Sequence, residues 1–281
     1  MARSNNSAIS FGFIRRKLYR LIPFIGYHHV LMIIALSAIT LWSILLAGCT
    51  SYSLKDISLF SLSYRQDADI APSGNPLQLN PNVGDTFAGL MRKSSSTIIQ
   101  QVNVGFMAIC LKLHAGTWIC GTSAQDMVNG LAGGAATDPL NLIYVAETAR
   151  SRVLFFGLLF VAIIFNFFGI ILLATFPGWH KEEDSDGSER EVKPFPSRPV
   201  SMWALGFFSF ALLLSFVTVL WQHLASAAAY TLAKTLTYDT IDASVGAGAM
   251  VLGWIGVGCS GVVTLGLLIM VLSIRILATI D

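Results

Sequence analysis

Four stretches of this chain, residues 29–48, 153–176, 202–221 and 246–274, each run for at least 20 residues without an Asp, Glu, Lys or Arg. At roughly 1.5 Å rise per residue, a helix of that length crosses the roughly 30 Å hydrocarbon core of a bilayer. An unpartnered charge inside that core costs several kcal/mol, so uninterrupted apolarity over this length is what a spanning helix demands. With 54% hydrophobic and 12% charged residues, the chain is also too apolar for an ordinary soluble domain. The fold expected is an all-α membrane domain, a bundle of four transmembrane helices whose first partner is the lipid bilayer.

Basic residues close to span ends favour the cytoplasmic side. Arg15, Arg16, Lys17 and Arg20 precede the first span, Lys181, Arg190, Lys193 and Arg198 lie between the second and third, and Arg275 follows the fourth. This places the N-terminal segment 1–28, the loop 177–201 and the C-terminal segment 275–281 in the cytoplasm. The loops 49–152 and 222–245 are then external. Arg150 and Arg152 adjoin the second span on the external side and oppose the assignment, but long loops weigh little in the rule. Leu46-Ala47-Gly48-Cys49 spells a lipoprotein cleavage site, yet the preceding basic region is too long for a usual signal peptide. The first span is therefore expected to stay uncleaved.

The first external loop has about a hundred residues, enough for a small folded unit. From Tyr52 to Tyr64 its apolar residues Leu54, Ile57, Leu59, Leu62 and Tyr64 recur among Ser and Asp in a pattern closer to strand than helix. Pro72, Ser73, Gly74, Asn75 and Pro76, then Asn80, Pro81 and Asn82, mark turns. Val102 to Cys110 is again strand-like, and Asp138 with Pro139 marks the start of a helix running into the second span. The loop is thus expected to be partly β. The segment from His180 to Pro199 mixes six acids and four bases with Pro and Ser. It offers too little apolar surface to fold alone and reads as a solvated connector with Ser185 and Ser188 open to kinases. The second external loop reads as short and mostly polar.

Cys110 and Cys120 lie in the loop assigned to an oxidising compartment, where a disulfide is the natural reading. Its ring would contribute roughly 2.5 to 3 kcal/mol in the chain-entropy model. A zinc pair is the rival, with His114 as its one nearby helper and no second pair of ligands. Cys259 falls inside the fourth span as a packing thiol, and Cys49 sits at a span boundary.

At these cysteines a resemblance enters. Gly105-Phe106-Met107-Ala108-Ile109-Cys110, followed by Cys120, resembles the claudin-type motif Gly-Φ-Φ-Gly-x-Cys…Cys in its fungal form. Leu46-Ala47-Gly48-Cys49-Thr50-Ser51 and Ile57-Ser58-Leu59-Phe60-Ser61-Leu62-Ser63-Tyr64 are similar to the way a fungal family of pheromone-induced low-affinity calcium-influx regulators leaves the membrane. Ala108 departs from that family's second Gly. The resemblance implies a four-span plasma-membrane protein with a claudin-like external loop, acting in calcium influx and cell fusion during mating. From the residues themselves the motif has a structural role, Gly105 allowing close backbone approach and Phe106 and Met107 packing; partner binding is the alternative.

Gly246, Ala249, Gly253, Gly256 and Ser260 share one face of the fourth span, a surface of small residues on which helices approach closely. It serves packing within the bundle or contact with a membrane-protein partner or a second copy. Asn166 is the one strongly polar side chain in the second span and is expected to bond to a neighbouring helix.

The spans hold no Asp, Glu, Lys or Arg, whereas transporters place such groups at membrane depth. Externally, Asp56, Asp67, Asp69, Asp85, Asp126, Asp138, Glu147, Asp239 and Asp242 suit calcium in type but show no EF-hand spacing, and read as a solvated acidic surface. Calcium is thus expected to enter only indirectly, with no metal site and no cofactor. Phosphate loops, His-Glu-x-x-His helices and Gly-x-Ser-x-Gly elbows are absent, as are basic patches for nucleic acid; no catalytic residue is expected. Beside the regulator reading stand a claudin-like adhesion or membrane-domain organiser and an accessory subunit of a channel.

Overall fold

The computed structural model describes residues 26–65, 82–83, 85–86, 89–90, 99–131, 138–176, 180–183, 189–192, 197–237 and 240–280. The basic cluster at 15–20, the turn-rich stretch at 72–81, Asp67, Asp69, Asp239, Ser185 and Ser188 lie outside them.

In chain order the elements are α1 (Tyr27–Leu46), a single 3-10 turn (Tyr52–Leu54), β1 (Phe60–Tyr64), β2 (Ile99–Val104), β3 (Ile109–Leu113), β4 (Trp118–Gly121), α2 (Ala124–Asn129) and α3 (Leu142–Arg152). There follow α4 (Gly157–Ala174), β5 (His180–Glu183), β6 (Glu189–Val192), α5 (Arg198–Leu236), β7 (Ile241–Val245) and α6 (Ala247–Ile280). Helices α1, α4, α5 and α6 are long and apolar enough to cross a membrane. With the small antiparallel sheet, they make a multi-pass membrane protein that is mostly helical.

The chain divides into two compact units, and each long helix contributes residues to both. One unit comprises the chain up to Ile39, Ile164–Leu212 and the residues from Gly258 onward. Its core takes buried residues from all four long helices: Leu31 and Ala35 of α1, Ile170 and Leu173 of α4, Ala204 and Phe208 of α5, Val263 and Leu267 of α6. Small residues let the large ones interdigitate where no hydrophobic effect drives helices together. A Cβ on Gly169 would lie 2.6 Å from the Phe208 ring, so the ring packs directly on the α4 backbone. Asn166 is fully buried in this unit, as is Ser260. Strands β5 and β6 pair antiparallel, from His180 opposite Val192 to Glu183 opposite Glu189. The segment read as a solvated connector unable to fold alone thus forms a hairpin: ladder hydrogen bonds form from backbone alone, and the lack of apolar side chains that argued against a core does not forbid one.

The other unit, Thr40–Ile163 with Leu213–Val257, is built on a five-stranded antiparallel sheet in the order β4-β3-β2-β1-β7. Strand β1 sits between β2 and β7, Leu62 opposite Val102 on one side and Ala243 on the other. The sheet is thereby closed by a strand from the far end of the chain. Helix α3 packs on β2 and against α2. The apolar residues Leu62, Val102, Val104, Ile109 and Leu111 are all buried.

Several sequence expectations need correction here. Residues 52–59 are not strand, because Cys49 bonds through its N–H to Leu54 and folds the segment into turns before β1 starts. The strand-like run 102–110 is two strands separated by a turn. The helix expected to run from Asp138 into the second span begins at Leu142, ends at Arg152 and is separate from α4, which starts at Gly157. Helix α5 continues to Leu236, far past Trp221, where the span was expected to end. The loop read as polar is therefore mainly helix followed by β7: its Leu and Ala residues are strong helix formers, and Leu224, Ala228, Leu232 and Leu236 recur at helical spacing.

Candidate functional site

The residues carrying the sequence motifs converge on one corner of the sheet unit. Gly105, Phe106, Met107 and Ala108 form the turn joining β2 to β3, closed by the Gly105 N–H donating to the Ala108 carbonyl at 2.9 Å. Phe106 and Ala108 are buried and Met107 is exposed. Two residues along β3, Cys110 is joined to Cys120 of β4 by a disulfide, the pair directly opposite each other in the ladder.

The turn is seated on the segment that follows α1. A Cβ on Gly105 would lie 2.4 Å from the Gly48 carbonyl oxygen, and one on Gly48 would lie 2.3 Å from that of Ile57. Both positions are pressed against main chain, which cannot move aside as a side chain can, so both require glycine. The stretch at the exit of the first span and the cysteine motif, far apart in sequence, are thus one structural feature. Cys49, with φ of 62°, turns the chain into the gap and packs with Ala108 and Cys110. The Ala108 methyl helps fill this cluster, where a second glycine would leave space. Cys110 Sγ lies 3.2 Å from the Cys49 carbonyl oxygen; the bonded sulfur carries no proton, so this is packing rather than a hydrogen bond. The Cys49 thiol is pushed up to about 12, first by burial and then by the negative charge of Asp56, and it points at the carbonyls of Ile57 and Lys55.

Arg150 ties α3 to this corner. Its guanidinium donates to the carbonyls of Met107 and, at 2.6 Å, Thr122, with the Glu147 carboxylate 3.9 Å away. Bridging the residues on either side of the disulfide hairpin requires a fixed planar fork of donors, which Arg supplies and Lys does not. The basic residue that counted against the orientation rule has a local structural use instead.

A second anchor lies at the start of α3. Asp138 is 3% exposed and accepts from the Leu142 and Ile143 N–H groups at 2.9 and 3.0 Å and from the Tyr64 hydroxyl. It caps the helix and holds β1 to it. Burial, followed by the Asp138 charge and hydrogen bond, raises the Tyr64 hydroxyl well above its ordinary value. Reading Asp138 as part of a solvated acidic surface was therefore wrong, since the free N–H groups of a helix start are natural partners for a buried carboxylate. Glu147 faces Arg150 and Asp56 pairs with Lys55 at 3.2 Å. Among the described residues no three His, Cys, Asp or Glu side chains are placed to hold a metal ion.

The small-residue face of α6 has two functions along its length. Gly246 precedes the helix, and its Cβ would fall 1.6 Å from the Ser58 carbonyl oxygen; it lets β7 close on β1. Further along, a Cβ on Gly253 would meet Val219 at 3.1 Å, and one on Gly256 would meet the Trp42 indole at 2.3 Å. Ala249 is fully buried. In the sheet unit this face is covered by the chain itself.

Sequence reasoning placed a helix start at Asp138 but missed the anchoring contacts of Arg150, Asp138 and Tyr64. A basic residue just ahead of an apolar span was the available signal for Arg150; nothing local in sequence links Tyr64 to Asp138.

No curated protein matches the chain. Residues 90–273, well over half of the 281, match a family model described as Fig1, Ca2+ regulator and membrane fusion protein. The match runs from ahead of β2 through the disulfide hairpin, Arg150 and α4 to α6, and the chain belongs to the Fig1 family.

Proposed function

We propose that this protein is a plasma-membrane regulator of low-affinity calcium influx and of membrane fusion during fungal mating, with both termini cytoplasmic. The match to a family described by calcium regulation and membrane fusion carries this reading. It acts through a membrane-protein partner or a second copy rather than as an ion pathway of its own. Supporting this, the apolar stretches 29–48, 153–176, 202–221 and 246–274 contain no Asp, Glu, Lys or Arg, whereas ion pathways use such groups at membrane depth. Its role is regulatory and not enzymatic. Calcium uptake in mating cells with and without the gene tests the first part: equal uptake in both overturns it. Calcium flux from purified monomeric protein, alone in liposomes, would overturn the second and establish a channel.

A further inference from the structure

The sheet unit contains a cavity of about 600 Å3, within the range of small-molecule sites. Strand residues Phe60, Leu62 and Ile241 form one wall, Val145 and Ala149 of α3 another, and the part of α5 beyond Trp221 the third. Two of its lining side chains, Trp221 and Thr237, carry polar groups, and both are already engaged. The Trp221 indole N–H donates to the Val153 carbonyl at 2.9 Å. The Thr237 hydroxyl donates to Ala233 and accepts from the Ile241 N–H. No lining side chain offers a free hydrogen bond, so an occupant gains nothing there except apolar contact.

The cavity wall continues the exposed apolar face of a helix long and apolar enough to cross a membrane. On α5 the exposed residues Leu213, Val217 and Leu220 belong to an apolar stretch of spanning length. At spacings of three and four the same helix face continues as Leu224, Ala228, Leu232 and Leu236, now lining the cavity. From Trp221 to Leu236 this wall is roughly 22 Å long at 1.5 Å per residue, a length suited to an extended acyl chain. Trp221 stands where the two segments meet, the position at which Trp marks a membrane interface. A hydrocarbon chain can pass from bilayer to cavity along one uninterrupted apolar stripe.

We infer that this cavity holds an acyl chain of a bilayer phospholipid, drawn past Trp221 along α5 and away from the hydrocarbon core. The site goes beyond the regulator reading, and its test does not depend on calcium or mating.

The test uses the full chain in nanodiscs of phosphatidylcholine containing a fraction of the same lipid with a photoreactive diazirine on its acyl chain. After irradiation, label is expected on residues 224–236 of α5 and on 145–154. Ala229→Trp, which fills the cavity, should lower this label about tenfold, equivalent to about 1.4 kcal/mol of binding. Ala227→Trp, outside the lining, should leave it unchanged. An intact Cys110–Cys120 disulfide and an unshifted melting temperature certify the variant; should Ala229→Trp misfold, Ala225→Leu takes its place. Label confined to 202–220, label insensitive to the filling variant, a diazirine sterol labelling the site in place of the phospholipid, or crosslinking of 224–236 to a second copy would each overturn the inference.

Discussion

The two units are held together in different ways. In the helical unit, side chains meet bare helix backbone: Phe208 lies over Gly169, and a Cβ on Gly266 would meet the Tyr27 hydroxyl at 2.6 Å, the end of a side chain that can swing. In the sheet unit, main chain meets main chain at Gly48, Gly105 and Gly246, and a covalent bond fixes the neighbouring hairpin. A side chain can adapt to a methyl group by changing rotamer, whereas main chain pressed on main chain beside the ends of the strands cannot. The helical unit should therefore tolerate substitutions that the sheet unit does not.

Gly246→Ala is the strongest way to break that comparison. The new methyl would occupy the position of the Ser58 carbonyl oxygen, 1.6 Å away, and parting β7 from β1 should cost about 4 kcal/mol or more, the range reserved for severe lesions. Almost no protein should reach the cell surface. Gly105→Ala should be nearly as damaging. Gly266→Ala, in the helical unit, should cost about 1 kcal/mol, the ordinary effect of a point substitution. Surface labelling and melting temperature in detergent measure all three, and equal losses at Gly246 and Gly266 would refute the distinction.

Next in size is the disulfide. Cys110→Ser and Cys120→Ser should each lower stability by roughly 3 kcal/mol, and the double variant should be no worse than either single, as expected of residues acting as one unit. Additive losses, or two free thiols by mass spectrometry, would reject the bond. The rest of the sheet unit should feel the loss and the helical unit should not, which protease sensitivity of α3 against the β5–β6 hairpin of the helical unit can distinguish.

The contrast between units also accounts for what the sequence revealed. Spanning helices are legible because the bilayer imposes one rule on every residue, and the absence of charge over 153–176 or 246–274 is sufficient by itself. The sheet unit obeys long-range rules. That β1 lies between β2 and β7 depends on pairing Leu62 with Ala243, and no local pattern announces a partner so far along the chain. Cys110 and Cys120 could be read as a pair from spacing and compartment, and Gly105 as a point of close approach; that Gly48 is what approaches it could not. Asp138 misled because exposed and buried aspartates look alike in sequence, and only the Leu142 and Ile143 N–H groups beside it tell them apart.

A smaller effect sharpens the role of α3. Arg150→Met keeps much of the apolar stem but leaves the carbonyls of Met107 and Thr122 without their donor, which should cost about 1 to 3 kcal/mol. Arg150→Lys should recover part of this, because one ammonium reaches one carbonyl more readily than two. Full recovery by Lys would mean that charge matters here and the fork geometry does not.

The smallest effect is a dependence on pH confined to the sheet unit. The Cys49 thiol, ordinarily at 9.0, is pushed up to about 12 by burial and by Asp56. A folded value above the unfolded one means that the folded state favours the proton, so this contribution is complete below pH 9.0 and is lost as pH rises toward about 12. Melting temperature should be flat with respect to Cys49 up to pH 9.0 and fall above it, and Cys49→Ala should remove that part of the fall. Tyr64 is raised in the same direction from 10.0, so Tyr64→Phe in the Cys49→Ala background separates the two. Reactivity gives an independent reading, since the thiolate is the nucleophile. A maleimide at pH 8 should leave Cys49 unmodified in the folded protein and modify it after denaturation. Rapid modification of the native protein at that pH would show that the corner where Gly48 meets Gly105 opens to solvent, and that contact between backbones is no firmer there than the packing of side chains in the helical unit.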